Sequence, residues 1–163
     1  MTRAACWAAG LLGTVVVLLP KPAPAPTTTG TLAVSAVVQT SCSLTGGTLN
    51  FGTYTSGQTS NLDVDGQITF ANCPTGNLVF ELDGGGTGNT TARKMTSGSN
   101  QLAYQLYRNT TRSAIFATGS NAYTEIRLVA GGGTIPVHGR INANQTVPAG
   151  NYADTVNVTL TFP

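Results

Sequence analysis

Charge is scarce in this chain. Asp, Glu, Lys and Arg make up 9% of its residues, too few to form the basic stripe that holds nucleic acid or any other polyanion. Histidine is scarcer still. His138 stands alone, so neither a histidine-based proton relay nor a histidine-rich metal site has members to draw on. Tryptophan occurs once, as Trp7, within a stretch expected to be removed, which leaves no indole to stack on a sugar. The apolar run of residues 7–19 is closed by Pro20 and Lys21 before it is long enough to span a bilayer. No segment keeps a three-to-four-residue apolar period with caps, which argues against a helical fold.

What is present begins with a leader. Arg3, the apolar run and PKPAPAP together read as a signal peptide over residues 1–25. Ala23 and Ala25 supply an A-x-A cleavage pattern, although Pro26 is an unfavourable residue to follow the cut. Without Arg3 and Lys21, the bases Arg93, Lys94, Arg108, Arg112, Arg127 and Arg140 face an equal number of acids: Asp63, Asp65, Glu81, Asp83, Glu125 and Asp154. A near-neutral chain rich in Thr, Asn, Gly and Val suits an exported sheet protein that packs against copies of itself. Cys6 leaves with the leader, so Cys42 and Cys73 form an isolated pair where oxidation is the default. Joining them would stabilise the fold by about 3 to 4 kcal/mol on a chain-entropy model. Two thiolates without further Cys or His ligands do not make a metal site.

The rest repeats one pattern, short runs of Val, Ile, Leu, Phe, Tyr and Thr separated by Gly, Asn and Ser clusters. Strands are expected over residues 48–54, 62–73, 78–83, 92–96, 102–109, 124–130, 135–142 and 152–162, with turns at TGG, SGQ, DGGGTGN, SGSN and AGGG. This is the pattern of an antiparallel sandwich or barrel. Its two ends stand out. Near the start, Leu32, Val34, Ala36 and Val38 fall on one face of an extended segment; at the end, Val156, Val158, Leu160 and Phe162 alternate with polar residues. In an immunoglobulin-type sandwich the last run would be the penultimate strand, and its sheet would want one more partner. Either the first segment folds back beside it, or it is given to a neighbouring molecule, a head-to-tail addition that produces a filament.

Candidate chemistry is thin. Asp63 and Asp65 share one strand face and imitate a carboxylate pair, but read as a solvated face. His138, in a strand-like run, reads as structural or exposed. DGGGTGNT and AGGGT precede no helix whose N-terminus could receive a phosphate, and read as hairpin loops. Asn-x-Thr triplets are frequent in a chain this rich in both residues and carry no weight. Tyr104 and Tyr107 lie on opposite faces, one expected in the core and one outside.

Taken together, IPVHGRINANQTVPAGNYADTVNVTLTFP (135–163), LNFGTY with Cys42 upstream, ITFANCP with Cys73, LDGGG, RKM and LAYQLYRN occur in an order and spacing that resembles the spore coat protein U family. Its well-understood members are subunits of archaic chaperone-usher pili. The resemblance implies an all-β fold, an incomplete immunoglobulin-like sandwich lacking its last strand, over residues 41–163. It implies a donor-strand extension over 26–40, with Leu32, Val34, Ala36 and Val38 entering successive pockets and Ala36 the smallest of the set. The acceptor groove lies beside Val156, Val158, Leu160 and Phe162. Cys42 and Cys73 match the family's disulfide positions. Implied partners are neighbouring pilus subunits, a periplasmic chaperone and an outer-membrane usher, with no nucleic acid, metal or cofactor and no enzymatic activity. The expected product is a surface fibre, exported through the periplasm, for adhesion and biofilm formation. The alternative is a self-contained spore or cell-surface coat protein with its first strand in its own groove.

Overall fold

In residues 62–70 every second side chain points to the same side, and this run, continued through a bulge to Cys73, forms the longest strand of the described chain. The structure is a computed structural model that describes Lys21, residues 23–39 and residues 41–163. The charged and apolar parts of the expected signal peptide, with Cys6, lie outside the described residues. Among the described residues nine strands form: β1 (Ser43–Gly46), β2 (Leu62–Cys73), β3 (Gly76–Leu82), β4 (Lys94–Ser97), β5 (Asn100–Ala103), β6 (Gln105–Tyr107), β7 (Tyr123–Arg127), β8 (Gly131–Ile141) and β9 (Val158–Thr161). One sheet has the order β1-β2-β8-β6, a second β7-β3-β9, and β4-β5 is a separate hairpin. Every ladder is antiparallel.

The inward faces of the two sheets make one core. Ile68 and Phe70 of β2 and Ile135, Val137 and Ile141 of β8 meet Leu78, Phe80 and Leu82 of β3, all buried. The rings of Phe70 and Phe80 lie 5.3 Å apart between the sheets. The chain is thus an all-β sandwich, as its alternation implies. Cys42 and Cys73 are joined as a disulfide, tying the start of β1 to the end of β2.

A buried arginine closes the core on one side. Arg93 is fully buried, and its guanidinium donates to the carbonyls of Asp83, Leu82, Phe116 and Thr90 and to Gln105 Oε1. Gln105 is in turn held, accepting from the Leu106 amide and donating to Thr90 O. Burial presses the Arg93 pKa down. Carbonyl dipoles on every side nonetheless replace the lost water, which is what a buried charge requires.

Several expected elements are altered for identifiable reasons. The run 102–109 breaks at Tyr104, whose amide donates to Arg93 O, so β5 stays in the hairpin while β6 joins β8. The three glycines after Ala130 belong to β8, not to a turn. A Cβ on Gly133 would lie 2.9 Å from the Phe70 ring and one on Gly132 2.7 Å from Phe70 O, so bare backbone lets β8 cross Phe70 closely. DGGGTGNT connects β3 to β4 of a different sheet, with a short 3-10 turn at Gly85–Thr87, and is no hairpin loop. β1 was not expected at all; it is four residues long. Residues 48–54 form no ladder, and of residues 152–162 only Val158–Thr161 do.

By contacts the chain divides into two units, Met1–Val37 and Val38–Pro163. Residues 23–39 have no regular secondary structure, and all of their side chains are exposed.

Candidate functional site

Strand assignment needs a ladder as well as an alternation, and two alternating segments of the β-domain lack one. Residues 48–54 follow β1 at the edge of its sheet. Leu49, Phe51 and Tyr54 turn toward the core and are half-buried, yet among the described residues the main chain of 48–54 bonds to no other main chain. Residues 152–157 precede β9, the outermost strand of the other sheet. Tyr152, Asp154 and Val156 point inward and Ala153, Thr155 and Asn157 outward, with an isolated bridge between Ala153 and Thr96 and one main-chain bond from the Asp83 amide to Asn157 O. Edges like these, with unpaired amides and carbonyls, invite another chain.

Between the two segments lies a groove of about 740 Å³. Its walls are residues 47–54 with Ser56 and residues 147–154 with Val156, and its floor is built from Ile68, Leu82, Leu102, Leu106, Val137 and Ile141. The floor residues are core side chains reached from outside, so the sandwich is open along this seam.

The polar groups of the walls are tied to one another. The Tyr104 hydroxyl donates to Asp154 Oδ2 (2.7 Å), and Asp154 Oδ1 accepts from the Gly86 and Thr155 amides (2.8 Å each). Burial, reinforced by the Asp154 carboxylate, pushes the Tyr104 phenol well above its ordinary range, so it stays a donor. Beyond the end of the β3-β9 ladder at Leu82 and Val158, one more main-chain bond follows, from the Asp83 amide to Asn157 O (3.1 Å), and side chains reinforce it. Asp83 accepts from the Asn157 amide (2.9 Å) and from Asn157 Nδ2 (2.6 Å). Burial acts to raise the Asp83 pKa, but bonds from Gly85 and Asn157 outweigh it and hold the carboxyl below its usual value.

The expected acceptor residues are divided by this geometry. Val156 lines the groove; Val158, Leu160 and Phe162 continue the same edge, half-buried against the core. The opposite wall, Leu49, Phe51 and Tyr54, was not anticipated as part of a groove, although its alternation in LNFGTY was visible. The expected donor residues Leu32, Val34, Ala36 and Val38 are exposed, the larger ones at 88%, 85% and 93% respectively for Leu32, Val34 and Val38. Val37, on the opposite face of an extended segment, is exposed as well.

Asp63 and Asp65 do not form a bare solvated face. Cross-strand register sets Asp63 opposite Arg140 and Asp65 opposite His138. Arg140 Nε and Nη2 grip the two oxygens of Asp63 (2.7 Å each), His138 Nδ1 lies 2.8 Å from Asp65, and Arg112 reaches both carboxylates from the loop above. The bond from Arg140 holds Asp63 below its ordinary pKa, and the bond with His138 does the same for Asp65. His138 is buried and structural. The cluster clamps the loop carrying Arg112 onto the outer face of β2 and β8. Tyr104 is the buried tyrosine and Tyr107 the half-exposed one. Among the described residues no three His, Cys, Asp or Glu side chains converge as metal ligands.

Comparison with known proteins matches this architecture. One chain of the crystal structure of a chaperone-tip adhesion subunit pre-assembly complex, from archaic chaperone-usher Csu pili of Acinetobacter baumannii, superposes with a TM-score of 0.53 at 21% identity. The match covers 75% of this chain and 39% of that one, and bears on the fold, an immunoglobulin-like sandwich. Among curated proteins, Protein U of Myxococcus xanthus is 35% identical over 160 residues, covering 86% of this chain and 88% of the relative. The model of the Spore Coat Protein U domain matches residues 28–159, from the exposed extension to β9, and on this ground the chain belongs to the Spore Coat Protein U domain family.

Proposed function

We propose that this chain is a structural subunit of an archaic chaperone-usher pilus and polymerises by strand donation. Residues 29–39 of one copy lie in the groove of the next, with Leu32, Val34, Ala36 and Val38 facing its floor. Before assembly a periplasmic chaperone covers the same groove, and the exchange takes place at an outer-membrane usher. The product is a surface fibre for adhesion and biofilm formation, built after removal of residues 1–25.

The observation that carries this reading is the groove itself, a seam about 740 Å³ in volume with an apolar floor and mixed walls, flanked by two strand-like segments without a ladder. An extended segment bonding to both edges would complete the sandwich, with backbone bonds for affinity and alternate side chains for specificity. Burying a Leu or Val side chain contributes about 1.5 to 3 kcal/mol each before ordering costs, enough to make a durable joint from Leu32, Val34 and Val38. The likeness to a pilus chaperone-subunit complex supports the same setting.

The test is co-production with a periplasmic chaperone of the full chain and of a chain lacking residues 29–38. Detergent-resistant polymers are expected from the first only; polymers from the truncated chain would refute strand donation. A second reading, a self-contained coat protein, draws support from the family's description and from Protein U. A soluble, stable monomer made without any chaperone would favour it.

A further inference from the structure

One turn of the β-domain carries large apolar side chains where polar ones are usual. Leu128 and Val129, in the β7–β8 connection, are 87% and 73% exposed. Their position in the fold is well defined. Arg127 pairs with Gly76 and Gly131 with Cys73; Cys73 is bonded to Cys42; and Pro163 packs against Gly76. The turn therefore stands at the end of the sandwich where the N-terminal extension enters the β-domain.

That end has a neighbour if strand donation, as proposed above, is right. From Val38, the last donor residue, to Cys42 the chain can reach at most about 14 Å. A copy that receives the donor segment is thus tethered close to the disulfide end of the copy that gives it. The direction of the donated strand says which part of the receiver is near. Every ladder in the domain is antiparallel. A donated strand antiparallel to β9 runs from the Phe162 end toward Val156, and its C-terminal root emerges beside the wall segment 147–151. There Pro148, Ala149 and Gly150 are exposed, small and uncharged.

We propose that Leu128 and Val129 pack on Pro148 to Gly150 of the next copy in the fibre, a second, non-covalent contact that fixes the angle between successive subunits. The contact joins different surfaces of the two copies, so it repeats along the fibre without closing. It also buries apolar surface that a lone domain leaves in water. The short tether supplies a high effective concentration, so even a small patch is occupied.

The test uses fibres of the full chain, with the photocrosslinker benzoylphenylalanine in place of Val129. Crosslinks to residues 147–151 of another copy are expected in fibres and absent from the chaperone-bound subunit. The double variant L128S/V129S is expected to assemble normally but to give fibres with a several-fold shorter persistence length in electron micrographs. Normal fibres without such crosslinks, crosslinks that map elsewhere, or unchanged stiffness in L128S/V129S would overturn the contact while leaving strand donation intact. Failure of the unsubstituted chain to form fibres would overturn strand donation, and this contact with it.

Discussion

The β2-β8 ladder and the two walls of the groove are all amphipathic, and they differ in what their main chains meet. From Leu62 opposite Ile141 to Phe70 opposite Gly133, each β2 residue has a registered partner. In residues 48–54 Leu49 and Phe51 are set as in a strand and Tyr54 turns in after the positive-φ Gly52, but the main chain has no partner strand among the described residues. Alternation sets which side of a segment faces the core; a ladder needs a second chain segment at hydrogen-bond distance. The difference locates where the sandwich is unfinished. It also predicts that substitutions on the finished side act on folding, and those serving the open side on assembly.

The largest expected effect lies at the junction of the two sides. Arg93 holds the carbonyls of Leu82 and Asp83, at the start of the groove's anchoring, together with Phe116 O and Gln105. Arg93→Met keeps the volume and removes the donors, leaving several buried acceptors unpaired. A loss of about 3 to 5 kcal/mol is expected, read as a lower urea midpoint of the purified protein and a fall in periplasmic yield. A variant within 1 kcal/mol of wild type, roughly the value of one net hydrogen bond, would mean that Arg93 is not a structural keystone.

Next in size is the disulfide on the finished side. Removing it as Cys42→Ala/Cys73→Ala opens a loop of sequence separation 31, with an expected cost of about 3 to 4 kcal/mol. Comparing oxidised and reduced wild-type protein in urea checks the figure without any substitution. Because the bond anchors the root of the extension, fibres of the double variant should also be weaker than the stability loss of the domain alone requires.

The strand content and the pairing of Cys42 with Cys73 were legible because they depend on period and compartment. The strand ends were less so. Nothing local in LAYQLYRN announces that Tyr104 will turn to Arg93, because that bond joins residues whose meeting depends on the whole sandwich. The glycines after Ala130 read as a turn because glycine usually marks one; their use in a strand is dictated by the Phe70 ring beneath them. The groove was half legible. Val156 follows from the alternation of the last run, whereas LNFGTY reads as an ordinary strand and nothing in it says that Leu49, Phe51 and Tyr54 wall a groove. Asp63 and Asp65 gained partners through the β2-β8 register and a distant loop, and no sequence spacing carries that information.

A smaller effect, confined to assembly, is expected from the extension. Leu32 is exposed in the single copy, so Leu32→Ser should leave the urea midpoint of the chaperone-bound subunit unchanged. In fibres it should weaken each joint by about 1.5 to 3 kcal/mol, the value of burying one leucine, seen as a lower temperature for dissociation in detergent. If Leu32→Ser instead lowered the stability of the subunit itself, the extension would be part of its own sandwich and the contrast between the two sides would fail.

The smallest effect separates the two sides by pH. Asp63, on the finished side, is held below its ordinary pKa of 3.8 chiefly by Arg140. Asp83, which anchors residue 157 beside the groove, is also lowered, by hydrogen bonds that outweigh its burial. A carboxyl whose folded-state pKa lies below the unfolded one contributes stability that is complete above the unfolded value and lost as pH falls through the folded value. Acidification from about pH 5 to about pH 2 should therefore lower the urea midpoint, and Asp63→Asn should flatten that slope, since the variant has already lost the ionised bond. Asp83→Asn should flatten it too, but should in addition loosen the wall at residues 154–157 and make fibres dissociate more readily at neutral pH, which Asp63→Asn should not. Equal fibre stability in the two variants would show that the wall is held by the core beneath it and by the main-chain bond from Asp83 to Asn157 O, and not by the Asp83 carboxylate.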